Sequence, residues 1–201
     1  MAIRAIIFDL GNVLQFYDER EEQRKLAKFI GIPKILLVPP YFAHLPAYQR
    51  GTLTGRQFIQ RICKNLGRQV PDGAALFFGK TLREIAKPNR PMLAFVRQLH
   101  RNYKTAVLSN TVREHVQIYR RSPWTKYFDI LFFSNEQHIR KPQLGAFRLI
   151  AEQLGVETRE CIFTDDRPLH VWAARRAGMV AVPFRSPTQF QTFLRRHQVK
   201  W

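Results

Sequence analysis

The sequence predicts an α/β fold: a parallel sheet with helices on both faces and a helical segment inserted after the first strand. Three observations lead there. Short runs of apolar β-formers recur at residues 2–10, 105–109, 130–134, 161–165 and 180–184. Amphipathic stretches with helical spacing alternate with them at 91–101, 144–154 and 168–177, the pattern of βαβ units. Residues 15–91 break that alternation with helical, proline-punctuated sequence.

Taken in order, the first run is Ala5-Ile6-Ile7-Phe8, ending abruptly in Asp9 and then Leu10-Gly11-Asn12. A strand buried on both faces reads as such a run, and open parallel sheets place their chemistry at its C-terminal tip. In 15–91 the clearest helices are 21–30 and 55–66, separated by turns at Pro33, Pro39-Pro40, Pro46 and Pro71. An insertion there would sit over the tip of the first strand as a cap. The expected division is therefore a core of 1–14 and 92–201 and a cap of 15–91. Segment 91–101 carries Met92, Phe95, Val96 and Leu99 on one face. The second strand ends at Ser109-Asn110-Thr111. Segment 144–154 repeats the helical pattern with Phe147, Leu149, Ile150 and Leu154, and Gly155 stops it; 168–177 is stopped in the same way by Gly178. Between these two helices, Cys161-Ile-Phe-Thr-Asp165 is followed by a second acid, Asp166. Residues 190–201 read as a last helix whose basic face carries Arg195, Arg196, His197 and Lys200.

Composition bounds the function. With 45% hydrophobic and 12% aromatic residues, a chain of 201 residues can bury a core, so disorder is not expected. No run of about 18 apolar residues offers a transmembrane span, and the early first strand leaves no room for a signal peptide. Cys63 and Cys161 are too few for a disulfide framework. Together these point to the cytoplasm and away from a membrane partner. The net charge of +18 invites a nucleic-acid reading. Its distribution argues against a dedicated surface: residues 17–90 carry +8 and the remainder +10. General attraction of anionic substrates fits better.

Two strands delivering Asp9 and Asp165 to one sheet edge suggest a shared magnesium site. Each further candidate has a plainer reading when taken alone. Ser109 and Asn110 could cap a turn, Lys141 before Pro142 could be a solvated loop residue, and Asp165-Asp166 could simply favour a helix start. Jointly placed at strand ends, they favour chemistry.

The order Asp9, Ser109-Asn110-Thr111, Arg140-Lys141-Pro142, Asp165-Asp166 resembles the haloacid dehalogenase (HAD) superfamily across nearly the whole chain. It is similar in particular to the phosphatase branch with a helical cap between the first two motifs, including sugar-phosphate phosphatases whose first motif reads Asp-Leu-Gly-Asn-Val. The resemblance implies a Rossmann-like core and a magnesium-dependent phosphatase acting on a small phosphorylated metabolite. Asp9 would be nucleophile and metal ligand, with the Gly11 carbonyl and Asp165 completing the Mg2+ site. Ser109 and the Asn110 amide would hold phosphate oxygens, and Lys141 would neutralise charge on the nucleophile and the transferring group. The physical need is clear: a phosphate dianion repels a carboxylate, so cations must offset that repulsion before attack.

Two positions depart from the family pattern. Where members usually carry a second aspartate as general acid, this chain has Gly11, and such an acid is worth ~10²–10⁴ in rate. A substrate with an acidic leaving oxygen, such as an anomeric sugar phosphate or an aryl phosphate, would suffer least. Where members order the waters of the metal with Asn or Asp, this chain has Leu169 and His170; His170 would make metal affinity sensitive to pH or be an exposed helix residue. Asp166 would support the metal ligands from behind or be an outer ligand through water. Asp18 would orient the cap, meet substrate or mark a hinge; Tyr41 or Arg50 would face the site; His44 and His115 would lie at the surface or in packing. The rival readings are a catalytically weak binding module for RNA or an acidic partner, and a haloacid dehalogenase. The latter needs no metal and lacks the carboxylate pair seen at Asp165-Asp166.

Overall fold

The computed structural model describes residues 2–201; residue 1 of the expected core lies outside the described residues. Five parallel strands make the main sheet: β1 (Ala5–Phe8), β4 (Lys104–Ser109), β5 (Ile130–Phe133), β6 (Cys161–Asp165) and β7 (Val180–Pro183), in the order β5-β4-β1-β6-β7. β1 is central. Phe8 registers with Val107 on one side and Thr164 on the other, so Asp9 emerges between the ends of β4 and β6. The chain steps outward from β1 in both directions, and the crevice at such a switch point is where open sheets bind ligands.

Strand residues alternate between two cores. Ile6, Phe8, Val107 and Ile162 pack against α5 (Arg90–Leu99), α6 (Arg113–Tyr119) and α10 (Pro187–Arg196). Ala5, Ile7, Leu108 and Phe163 pack against α8 (Leu144–Gln153) and α9 (Pro168–Arg176). The result is an α/β Rossmann-like sheet covered on both faces, its strands mostly apolar because both faces are dry. Both cysteines are buried free thiols. No single helix among the described residues is long and apolar enough to cross a membrane.

Four helices fill the segment between β1 and α5: α1 (Glu19–Ile30), α2 (Lys34–Gln49), α3 (Gly55–Asn65) and α4 (Phe77–Ile85). They share a third apolar core centred on Phe58, which stacks on Tyr48 at 4.6 Å between ring centroids and meets Tyr41 edge-on. A short antiparallel ribbon, β2 (Gln15–Phe16) with β3 (Lys87–Pro88), joins the entry and exit of this layer.

One expectation fails here. Residues 34–49 form a single helix containing Pro39, Pro40 and Pro46, where turns were expected at the prolines. Proline removes an intrahelical hydrogen bond and disfavours helix locally. The helix nevertheless buries Leu37, Tyr41, Leu45 and Tyr48 at spacings of three and four residues, so packing overrides the local signal. α4 and α6 went unread because their apolar faces are short.

Candidate active site

The loop after β1 carries Asp9, Gly11 and Asn12. Lys141, preceding α8, reaches across the sheet edge and places its Nζ 2.6 Å from Asp9 Oδ1 and 2.6 Å from Asp165 Oδ2. The ammonium is wholly buried, so the plainer reading of Lys141 as a solvated loop residue is wrong. Two carboxylates flank it, and their attraction outweighs the desolvation that would otherwise favour its neutral form, holding its pKa above the ordinary lysine value. The Lys141 backbone is itself fixed by Asn110, whose side chain donates to the Lys141 carbonyl and accepts from its N–H, both at 2.8 Å. Asn110 therefore positions the lysine loop through its side chain, a role that spacing alone did not suggest.

Asp165, at the end of β6, is fully buried. Burial favours its protonation, but Lys141 and His170 more than offset that and hold it well below the usual carboxylate range. Asp165 Oδ1 also accepts from the Arg167 N–H at 2.9 Å. His170 is buried, not an exposed helix residue, and its Nδ1 lies 2.9 Å from Asp165 Oδ2. Leu169 takes the outward position instead, 57% exposed. Burial lowers the pKa of His170, and its Nδ1 serves as donor to the Asp165 carboxylate.

Asp9 behaves oppositely. Burial, then the negative charge of Asp165, raise its pKa to about 7 against the pull of Lys141. Oxygens of Asp9, Asp165 and Asp166 lie within 4.8 Å of one another. Hard oxygen donors at this spacing suit a divalent cation such as magnesium. Asn12, in the left-handed region at φ 55°, donates from Nδ2 to Asp166 Oδ2 at 2.9 Å, so the turn after β1 orients the third acid. Gly11 lies over the nucleophile candidate: a Cβ there would sit 3.9 Å from Asp9 Oδ2.

A cavity of about 330 Å³ opens from this cluster toward the helical layer. Ser109 and Asn110 line it on the sheet side; the N-cap of α6 is Val112, so neither caps that helix. Tyr41 lines the opposite wall, whereas Arg50 stays outside, its carbonyl 2.8 Å from His138 Nδ1. Asp18 caps α1, accepting from the N–H groups of Arg20 and Glu21, and it borders the same cavity. Sequence reasoning missed Glu22 and gave no site role to His115, both buried and both on the cavity wall. Set among Arg20, Glu21, Arg24 and Lys25, Glu22 reads as one more residue of a solvated charged face, so its burial left no pattern to find.

An acidic cluster and a buried lysine meet at the C-terminal edge of a doubly covered parallel sheet, where enzymes of α/β folds carry their chemistry. The chain belongs to the haloacid dehalogenase-like hydrolase family, whose model matches residues 3–178. Drimenol cyclase drtB of Aspergillus calidoustus is 26% identical over 94% of this chain; the chain spans only 35% of the length of that protein. A phosphorylated carbohydrates phosphatase of Thermotoga maritima is 26% identical over 88% of this chain and 82% of its own. A HAD family enzyme of Bacteroides thetaiotaomicron, solved in complex with magnesium and inorganic phosphate, superposes with a TM-score of 0.74 at 21% identity, covering 92% and 96% of the two chains. A 2-haloacid dehalogenase of Pseudomonas syringae shares the fold at a TM-score of 0.71 and 16% identity, covering 96% and 99%.

Proposed function

We propose that this enzyme is a magnesium-dependent phosphatase that hydrolyses a small phosphorylated metabolite through an aspartyl-phosphate on Asp9. The observation that carries the reading is the meeting of Asp9, Lys141, Asp165 and Asp166 within hydrogen-bonding or shared-ligand distance. The phosphatase and the magnesium–phosphate complex among its relatives support it. The acid pair Asp165-Asp166 favours phosphoryl transfer over dehalogenation, which requires no such cluster.

Asp9, Asp165 and the Gly11 carbonyl would hold Mg2+, with Asp166 outside them; bound there, the ion would draw charge from the phosphate oxygens. Asp9 attacks phosphorus, and the bond from phosphorus to the leaving oxygen breaks with its electron pair on that oxygen. Lys141 offsets charge on both Asp9 and the transferring group, while Ser109 and the Asn110 N–H hold phosphate oxygens. Water then attacks phosphorus, which returns the Asp9 carboxylate and releases inorganic phosphate. Without an acid at position 11, the leaving oxygen departs with little help, so leaving groups of low basicity react best. Segment 15–91 acts as the cap that closes the cavity, and the β2–β3 ribbon at its root and its separate apolar core support that role.

The test is turnover of p-nitrophenyl phosphate with and without magnesium. The wild type should act only with the metal, and Asp9→Asn should lose the activity while its melting curve shows a folded protein. A persistent rate in that variant would reject the nucleophile.

A further inference from the structure

Opposite the acid cluster, the cavity ends in polar groups that the proposed reaction does not use. Glu22 of α1 is 4% exposed and accepts hydrogen bonds from Tyr17 and Tyr41, the latter at 2.8 Å to Oε1. Each carboxylate oxygen has a second lone pair. No Lys or Arg among the described residues pairs with Glu22. The nearest basic group is His115, whose Nε2 is 3.8 Å from Glu22 Oε2. That Nε2 is buried and has no hydrogen-bond partner among the described residues. Burial holds the ring neutral, down to about 4, against a hydrogen bond to the Phe78 backbone. Left without a partner, the Nε2 of a neutral ring can accept from a donor placed on this wall.

With Glu22 ionised, two groups able to accept lie less than 4 Å apart on this wall, one of them a carboxylate without a cationic partner. In a chain of net charge +18 this is an unusual wall. A hydroxyl placed there would donate one hydrogen and leave the charge of Glu22 unmatched. An ammonium would donate to both groups and neutralise the carboxylate, beside the hydroxyls of Tyr17 and Tyr41.

We propose that the pocket formed by Glu22, His115, Tyr17 and Tyr41 binds an ammonium group on the leaving portion of the substrate, so that the enzyme prefers amine-bearing phosphate monoesters. This rests on the phosphatase reading and specifies its substrate class. The acid cluster and Lys141 take the phosphate, and the Glu22 wall takes the opposite charge.

The experiment compares kcat/KM, with magnesium, for phenyl phosphates bearing ω-aminoalkyl or ω-hydroxyalkyl arms of matched length, with p-nitrophenyl phosphate as reference. The wild type should favour the amine at one or more lengths by at least about 10-fold, the scale of a desolvated charge pair. Glu22→Gln should bring that ratio close to one. The wild-type comparison decides even if the variant fails to fold. Equal or better turnover of the hydroxyl series, with p-nitrophenyl phosphate hydrolysed normally, overturns the ammonium pocket and leaves the phosphatase reading standing. A preference that survives Glu22→Gln also overturns it. Failure to hydrolyse any of the esters overturns the phosphatase reading and the pocket with it.

Discussion

Replacing Glu22 by Gln should stabilise the protein above neutral pH. Burial raises the pKa of Glu22 from 4.5 to about 7, and the hydrogen bonds from Tyr17 and Tyr41 only partly oppose this. Between those values the folded protein holds a proton that the unfolded chain has released. Stability contributed by this group therefore falls as pH rises through that window, and is level above it. At about 1.4 kcal/mol per pH unit, the interval amounts to ~3 kcal/mol at most. Almost no solvent reaches the group, so little screening reduces that figure. Gln keeps the volume, can accept from a tyrosine, and can donate from its amide to the bare Nε2 of His115. For a chain of this size ~3 kcal/mol corresponds to a rise in Tm on the order of 6–12 °C. The assay is thermal or urea denaturation of both proteins, without metal, near pH 4 and near pH 8. The two should match in acid, and the variant should be the more stable in base. If Glu22→Gln is less stable near pH 8, or keeps the same pH slope as the wild type, the carboxylate is not an uncompensated buried charge.

Three further predictions follow from the geometry. A Cβ at position 11 meets nothing closer than Asp9 Oδ2 at 3.9 Å, so Gly11→Asp should fold and supply a leaving-group acid. Its kcat on alkyl phosphates should rise by ~10²-fold or more while p-nitrophenyl phosphate changes far less; equal gains on both would refute the role of that position. Lys141→Met should lower kcat by ~10²–10³-fold and move the titration of Asp9 above about 7, since Lys141 now opposes its upward shift; the pH–rate profile reads this. Gly51 has φ +75° and a Cβ there would lie 2.2 Å from the Asn135 carbonyl oxygen, whereas Gly31, at φ +76°, has nothing within 4 Å. Both alanine variants incur the left-handed strain of ~1–2 kcal/mol. Gly51→Ala should cost ~1–3 kcal/mol more, and a smaller gap in urea midpoints would mean that the helical layer docks less tightly on the core.

Much of the fold was legible because its signals are local. The strands that end at Asp9, Ser109 and Asp165 are buried on both faces, so apolar runs mark them without any partner being known. The helix breaks at Gly155 and Gly178 are equally local. The helix of residues 34–49 was not legible, because three prolines argue against it and only the packing of Tyr41 and Tyr48 on Phe58 overrides them. His170 shows the same limit from the other side. Its position beside a solvent-facing leucine left it ambiguous, and burial against Asp165 decided the matter.

The sequence by itself determined the parallel sheet and the candidates Asp9, Ser109, Asn110 and Asp165 at its strand ends, since local patterning reveals those; the family, and Lys141 ahead of a helix, came from the resemblance of the four motifs. Only the tertiary structure decided what surrounds them. Asn110 grips the lysine loop, Asn12 orients Asp166, and Glu22 faces His115 from an element far away in sequence. The reason is physical: a hydrophobic period is written in neighbouring residues, whereas the charge state and hydrogen bonds of a buried polar group depend on whichever distant segments fold against it.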